Sequence, residues 1–335
     1  MTRTDIRLAL PSKGRLQLST FEFLARCGFE FKQNGARGYV GSIPALPSVT
    51  ALLQRPSDII TSVANGGVDL GITGFDVVAD ANVEAEVAVL HDALGFGRCK
   101  VVIAVPEALP INTMADLARY TAALPAPLRV ATKYHHLTRT FLEKHGVRPF
   151  TLINAEGSLE VVPEIGYADI IVDIAETGST LQANRLRVVS DGIVLSTQAS
   201  LIANRAALAR PAVRAVAVEL LEYFEAHQRA EGYFMVVANV RGASLEDVGR
   251  KVTLQTTLGG LQGPTIAPVY PNPASAAADG AAHWFAVTLV VSRSALTSAV
   301  DQLRAIGGSG VVVTPITYIF EEQPARAAAL RKSEI

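Results

Sequence analysis

Apolar residues along this chain fall into short runs separated by helix-like stretches. Residues 6–10 form an apolar run closed by Pro11-Ser12-Lys13-Gly14, which reads as a strand and its turn. Ser19-Thr20-Phe21-Glu22 has the form of a capping box and predicts a helix start, with Gly28 just past that helix's end. Further apolar runs at 68–73, 101–105, 128–131 and 169–175 predict strands, while 114–120 and 137–145 predict helices, the second closed by Gly146. Strands alternating with helices imply an α/β fold with largely parallel sheets.

A long helical pattern opens at Pro211 and leads into Gly232, so a domain boundary is expected within 206–231. Beyond it the order is strand 234–240, helix 244–251, strand 265–269, strand 284–291, helix 295–306 and strand 311–319. That is βαββαβ, the ferredoxin-like order. The Pro-, Ala- and Gly-rich stretch 271–282 reads as a loop, as does Pro125-Ala126-Pro127, and Trp284 on its alternating strand reads as core. No internal repeat is visible.

Composition narrows the function classes. At 335 residues the chain exceeds one domain of about 150 residues, and its 49% hydrophobic content supplies several cores. Thirty Lys and Arg against 31 Asp and Glu give a net charge of −1, which excludes the basic field of a nucleic-acid binder. An anionic ligand must therefore be held by a local site. No segment approaches the ~20 apolar residues that span a bilayer, and the apolar run before Pro11 is too short for a signal peptide. A cytoplasmic protein without membrane contact is expected. Cys27 and Cys99 lack zinc or disulfide spacing and read as reduced thiols.

The most informative stretch runs from Asp169 through Asp173 to Glu176-Thr177-Gly178-Ser179-Thr180, an apolar strand with two acids that ends in a turn of hydroxyls and glycine. Such a turn offers backbone N–H groups and three hydroxyls to one phosphate, and the acids suit ribose hydroxyls or Mg²⁺. A plain helix cap at Thr177 is the alternative. Lys13-Gly14-Arg15 makes a basic turn after the first strand, where α/β sheets bind ligands, or else a solvated turn. Gly71-Ile72-Thr73-Gly74 and Gly95-Phe96-Gly97 add two more small-residue strand ends, suggesting a cleft floor. His135-His136 and His91-Asp92 fit neither a metal site nor a triad, and no nucleophile elbow, P-loop or zincin motif is present.

In combination these segments resemble the ATP phosphoribosyltransferase family. The likeness covers nearly the whole chain: Leu10-Pro11-Ser12-Lys13-Gly14-Arg15-Leu16, the stretch 67–74, Leu94-Gly95-Phe96-Gly97-Arg98-Cys99, Val130-Ala131-Thr132-Lys133-Tyr134, Gly157-Ser158-Leu159-Glu160-Val161 and 169–184. The resemblance implies a two-lobed catalytic half, like periplasmic binding proteins, followed by a ferredoxin-like regulatory domain. Lobe I would take 1–92 and 189–225, lobe II 93–188, and the regulatory domain 226–335.

The implied reaction joins N1 of the adenine of ATP to C1′ of phosphoribosyl pyrophosphate and releases pyrophosphate, with Mg²⁺ as cofactor, histidine as feedback inhibitor and a dimeric or hexameric homo-oligomer. Carried over by resemblance, Lys13, Arg15, Glu160 and Asp169 are expected to be catalytic. Asp169, Asp173, Glu176, Thr177, Gly178, Ser179 and Thr180 would bind phosphoribosyl pyrophosphate, Asp169 and Asp173 also flanking the metal. Arg55, Asp58, Gly71, Thr73, Gly74, Gly95, Phe96, Gly97 and Thr132 would meet ATP. A two-lobed solute-binding protein without catalysis is the alternative reading.

Overall fold

The computed structural model describes residues 5–35, 38–155, 157–176, 178–270 and 283–332. Two compact units divide the chain: Met1–Phe224 with Glu322–Ile335, and Glu225–Glu321.

In the first unit, β1 (Ile6–Pro11), β2 (Lys32–Gln33), β3 (Val40–Ser42), β4 (Val49–Gln54), β5 (Leu70–Gly74) and β6 (Val87–His91) enter one sheet. A second sheet takes β7 (Cys99–Pro106), β8 (Leu128–Thr132), β9 (Phe150–Asn154), β10 (Ile170–Ala175) and β11 (Leu186–Thr197), after which β12 (Ala199–Asn204) returns to the first. The orders are β2-β3-β4-β1-β5-β12-β6 and β11-β7-β10-β8-β9. Read as β4-β1-β5-β12-β6 and β9-β8-β10-β7-β11, the two sheets match position by position. In each, one strand (β12 or β7) runs antiparallel between its neighbours. This is the two-lobed plan of periplasmic binding proteins, and it is a repeat of topology that the sequence does not display as a repeat of residues.

The chain crosses between lobes twice, and the crossings are tied together: the Leu94 N–H donates to the Ala199 carbonyl and the Ala199 N–H to the Phe96 carbonyl, both at 2.9 Å. Each sheet is buried on both faces, which explains the unbroken apolar runs of β5, β7 and β12. Helices α1 (Gly14–Arg26), α2 (Pro56–Ala64) and α3 (Phe75–Ala81) serve lobe I, and α4 (Met114–Ala122), α5 (His135–Lys144) and α6 (Ser179–Ala183) serve lobe II. Helix α7 (Pro211–Ala230) begins at the proline that predicted it.

The expected helix start at Ser19 is displaced. Helix α1 begins five residues earlier at Gly14, so Ser19 lies inside the helix and not at its N-cap; the neighbouring Thr20 hydroxyl bonds back to the Leu16 carbonyl at 2.6 Å, as hydroxyls within helices do. Gly28 does end α1: it adopts φ 78°, and the Gly28→Ala25 and Phe29→Leu24 bonds of 3.0 and 2.7 Å close a Schellman turn.

The second unit holds β13 (Tyr233–Gly242), α8 (Leu245–Gln255), β14 (Thr265–Pro268), β15 (His283–Ser292), α9 (Leu296–Ala305) and β16 (Gly308–Pro315). Its antiparallel sheet has the order β14-β15-β13-β16, the ferredoxin-like arrangement. Strand β16 starts and ends before the expected 311–319, because Gly307 turns the chain at φ 88° and Pro315 lacks the N–H to extend the ladder. The Pro-rich loop read at 271–282 lies outside the described residues. Trp284 is half-buried instead of core, with the Arg241 guanidinium 4.5 Å from its ring centroid.

The last segment differs from the sequence reading of a tail running to 335. Helix α10 (Ala325–Lys332) belongs to the first unit. Ala327 and Leu330 join the lobe I core with Phe224, Arg326 pairs with Asp92 at 3.2 Å, and Arg331 pairs with Glu222. No helix among the described residues is long and apolar enough to cross a membrane.

Candidate functional site

Two neighbouring strand ends in lobe I carry cations. Strand β1 stops at Pro11, its end secured by the Ser12 N–H on the Gln54 carbonyl at 2.8 Å. Lys13 and Arg15 follow, both exposed. Gly14 between them takes φ 73° with open space where a side chain would stand, so the turn there requires glycine. Next door, Arg55 is the N-cap residue of α2, with Pro56 at the first helical position and Asp58 exposed in the first turn.

In lobe II, β10 delivers Asp173, then Glu176, then the turn before α6. Gly178 is left-handed at φ 77°, again with open space around it, and Ser179 and Thr180 are exposed. Thr177 lies outside the described residues. The two turns meet across the cleft, where Arg15 of lobe I pairs with Glu176 of lobe II.

Behind them lies a cluster that the sequence reading missed. The Asp76 carboxylate accepts from the Tyr134 phenol at 2.6 Å and the Thr197 hydroxyl at 3.4 Å. Lys133 Nζ stands 4.0 Å from Asp173 and 4.9 Å from the Tyr134 ring centroid. Burial pushes the Asp173 carboxyl above its usual range, with neighbouring Glu160 and Asp76 adding to the effect against Lys133. Burial also drives the Cys99 thiol up to about 12, reinforced by Asp76 and Glu176, so this cysteine stays a neutral thiol. The sequence signal for Asp76 was its place two residues after Gly74. A side chain on Gly74 would meet the Asp76 carboxylate at 2.3 Å.

Several expected ligands make the contacts seen here within the scaffold. Asp169 lies before β10, at the end of that strand remote from Gly178, and bonds Arg129. Burial would raise its carboxyl, but the Arg129 side chain, backbone N–H and charge outweigh that and hold it below the usual range. Gly71 is packed beneath α2, with a Cβ position only 2.7 Å from Ile59. Buried Thr73 bonds the Pro56 carbonyl at 3.2 Å, and buried Thr132 receives the Tyr134 N–H at 2.9 Å. Phe96 packs on Phe23 at 5.0 Å in the lobe I core. Gly95 and Gly97, at φ 89° and 65°, shape the first crossing.

Glu160 sits on a short 3₁₀ turn, close enough to Asp173 to raise its carboxyl. Among the described residues no group of three or more His, Cys, Asp or Glu could hold a metal by itself. The donor set of Asp173 with nearby hydroxyls suits a hard cation carried by phosphate oxygens, since Mg²⁺ needs only one or two protein carboxylates.

The family model described as ATP phosphoribosyltransferase matches residues 55–225, and the model described as HisG, C-terminal domain, matches 230–318. The chain is 40% identical to ATP phosphoribosyltransferase 2, chloroplastic, of Arabidopsis thaliana, covering 98% of this chain and 80% of that protein. It is 36% identical to the ATP phosphoribosyltransferase of Bradyrhizobium sp. (strain ORS 278), covering 94% of each. Among solved structures it resembles the ATP phosphoribosyl transferase (HisG:HisZ) complex from Thermotoga maritima at 25% identity and TM-score 0.51, covering 66% of this chain and 96% of that one.

Proposed function

We propose a division of labour in the cleft from one premise: the chain belongs to the ATP phosphoribosyltransferase family, the enzymes of the first step of histidine biosynthesis. Phosphoribosyl pyrophosphate binds lobe II, with its 5-phosphate on the Gly178-Ser179-Thr180 turn and its ribose toward Asp173 and Glu160. Lobe I supplies Lys13, Arg15 and Arg55 to the pyrophosphate and to the phosphates of ATP. The observation that carries this reading is the pair of open, left-handed glycine turns, one cationic and one rich in hydroxyls, joined by Arg15 and Glu176.

The lobes are topologically equivalent, yet only one turn can take the phosphate. At Gly74, the lobe I counterpart, the Asp76 carboxylate already occupies the space, whereas nothing stands over Gly178. Phosphate at such a turn is held by N–H dipoles and hydroxyls without a cation.

Adenine N1 is an uncharged nucleophile with a free lone pair, so attack needs no strong base. The growing charge is on pyrophosphate and on the ribose ring. Lys13, Arg15 and Arg55 suit the first, and the Asp173 and Glu160 carboxylates suit the second. Asp173 would help hold a Mg²⁺ ion, which when bound would supply positive charge to the departing pyrophosphate. Asp169, locked to Arg129, has no part in that set. Holding two polyanions in line supplies much of the acceleration.

The regulatory domain at 226–335, whose compact part is Glu225–Glu321, takes histidine as inhibitor, and the enzyme works in the cytoplasm as a dimer or hexamer. The test is formation of an N1-linked phosphoribosyl adduct, followed by absorbance and mass, when ATP, phosphoribosyl pyrophosphate and Mg²⁺ are supplied together. Folded protein that yields no adduct rejects the reading. Histidine is expected to slow turnover and to protect amides in 225–321 from exchange; protection confined to the cleft would move the effector there.

A further inference from the structure

Helix α3 of lobe I holds α5 of lobe II at two points one turn apart. The first is the Tyr134–Asp76 bond, in which both partners are buried, at 2% and 5% exposure. The second is Asp80, whose carboxylate accepts the Leu137 N–H at 2.9 Å. That bond caps α5 from the other lobe. The N-cap residue of α5, Tyr134 itself, makes no side-chain cap, so one of the helix's orphan N–H groups is satisfied only across the cleft.

Asp76 also reaches the crossing between the lobes. Its backbone N–H donates to the Thr197 hydroxyl at 2.9 Å, and that hydroxyl lies at the last residue of β11, where the chain leaves lobe II. One carboxylate thus gathers α3, the turn before α5 and the crossing. Two contacts along one helix fix rotation as well as separation, which a single bond does not.

The pair is connected to the reacting groups without being among them. Tyr134 follows Lys133, whose ammonium lies over its ring and faces Asp173. The Tyr134 backbone is set by its N–H on Thr132. Burial, then the Asp76 carboxylate, raises the phenol far above its usual range, so it remains a proton donor at every working pH.

We propose that Tyr134 is a positioning residue for the transfer, its bond to Asp76 setting the gap between the Lys13–Arg15 turn and the Gly178 turn at which the two substrates meet. The inference rests on the reading that the donor binds lobe II and ATP approaches from lobe I. Opening the lobes returns both groups to water. Closing them around substrate forms a charge-assisted bond in a buried setting, where such bonds are strongest. The bond therefore favours the closed arrangement without touching either ligand.

The experiment uses the full-length protein and the variants Y134F, D76A, D76N and D76A/Y134F. Readouts are kcat and KM for each substrate, and calorimetric affinity for phosphoribosyl pyrophosphate without ATP. In Y134F, kcat/KM for ATP is expected to fall by roughly 100-fold, the scale of a 1 Å misplacement, while affinity for the donor alone is unchanged. That unchanged affinity also certifies that lobe II is folded. The double variant should be no worse than the worse single, because both remove one interaction. D76N, whose amide oxygen still accepts from the phenol, should recover most of the activity lost in D76A.

Wild-type kinetics in Y134F, effects that multiply in the double variant, or loss of donor affinity along with turnover would each overturn the proposal. A wild-type protein that makes no adduct would instead sink the functional reading beneath it.

Discussion

Asp169 and Arg129 form a two-pronged pair. Arg129 Nη2 lies 2.7 Å from Oδ1, and the Arg129 backbone N–H donates to Oδ2 at 2.8 Å. Lobe I repeats the device, with the Arg7 N–H on Asp69 at 2.8 Å and Arg210 completing it at 3.0 Å. In both lobes the acid precedes the third strand of the matching order and clamps it to the second. Such a carboxylate organises a sheet, and in the proposed reading Asp169 takes no part in holding substrate.

Replacing Asp169 by Ala is therefore expected to cost about 2 kcal/mol, the scale of hydrogen bonds to a charged group, with catalytic constants unchanged. The native carboxyl is held low, so its stabilisation is present above the unfolded value of about 4 and fades as pH falls through the native one. Urea titrations should show the gap between wild type and variant narrowing below that pH. A variant that folds well and turns over slowly would return Asp169 to the site.

Asp173 has the opposite sign. Burial raises its carboxyl, so the native state binds the proton more readily, and ionised Asp173 subtracts stability as pH rises through that window. Asp173→Asn is expected to melt higher than wild type at pH 8, with the gap closing toward pH 4, while turnover drops. A lower melting temperature at pH 8 would contradict the burial argument.

Gly178→Val forces a β-branched residue to φ 77° and sets its side chain in the open space over the turn. Left-handed strain of about 1–2 kcal/mol corresponds to a tenfold or greater loss of affinity if the turn shifts to relieve it. Calorimetry should find phosphoribosyl pyrophosphate binding weakened at least that far and ATP binding spared. Undiminished donor affinity would move the 5-phosphate elsewhere.

Gly71→Ala separates packing from binding in the other direction. Its Cβ would stand 2.7 Å from Ile59 and 3.2 Å from Val63. Overpacking of this kind costs about 1–3 kcal/mol, measurable as a lower denaturation midpoint, with both KM values unchanged. A raised KM for ATP without loss of stability would place Gly71 against the nucleotide.

The local pattern was enough to locate the strands that carry the site, the helix opening at Pro211, the Gly28 stop and the βαββαβ order of the second unit. These follow from apolar runs, proline and glycine, whose conformational limits act within a few residues. The same pattern misplaced the start of α1, because a Ser-x-x-Glu signature fits a helix interior as well as an N-terminus and does not say whether the helix has already begun upstream. Lys13, Arg15, Gly178 and Ser179 stood out because turns after strands are legible one at a time.

Which acids face the cleft was another matter. Asp169 and Asp173 lie on one segment four positions apart, and sequence treated them alike. About 13 Å of strand separates them at 3.3 Å per residue, and only the pairing of β10 with β8 puts one beside Arg129 and the other beside Lys133. The bond between Asp76 and Tyr134 joins residues 58 positions apart. No local propensity encodes it, because it forms only when two separately folded sheets close against each other.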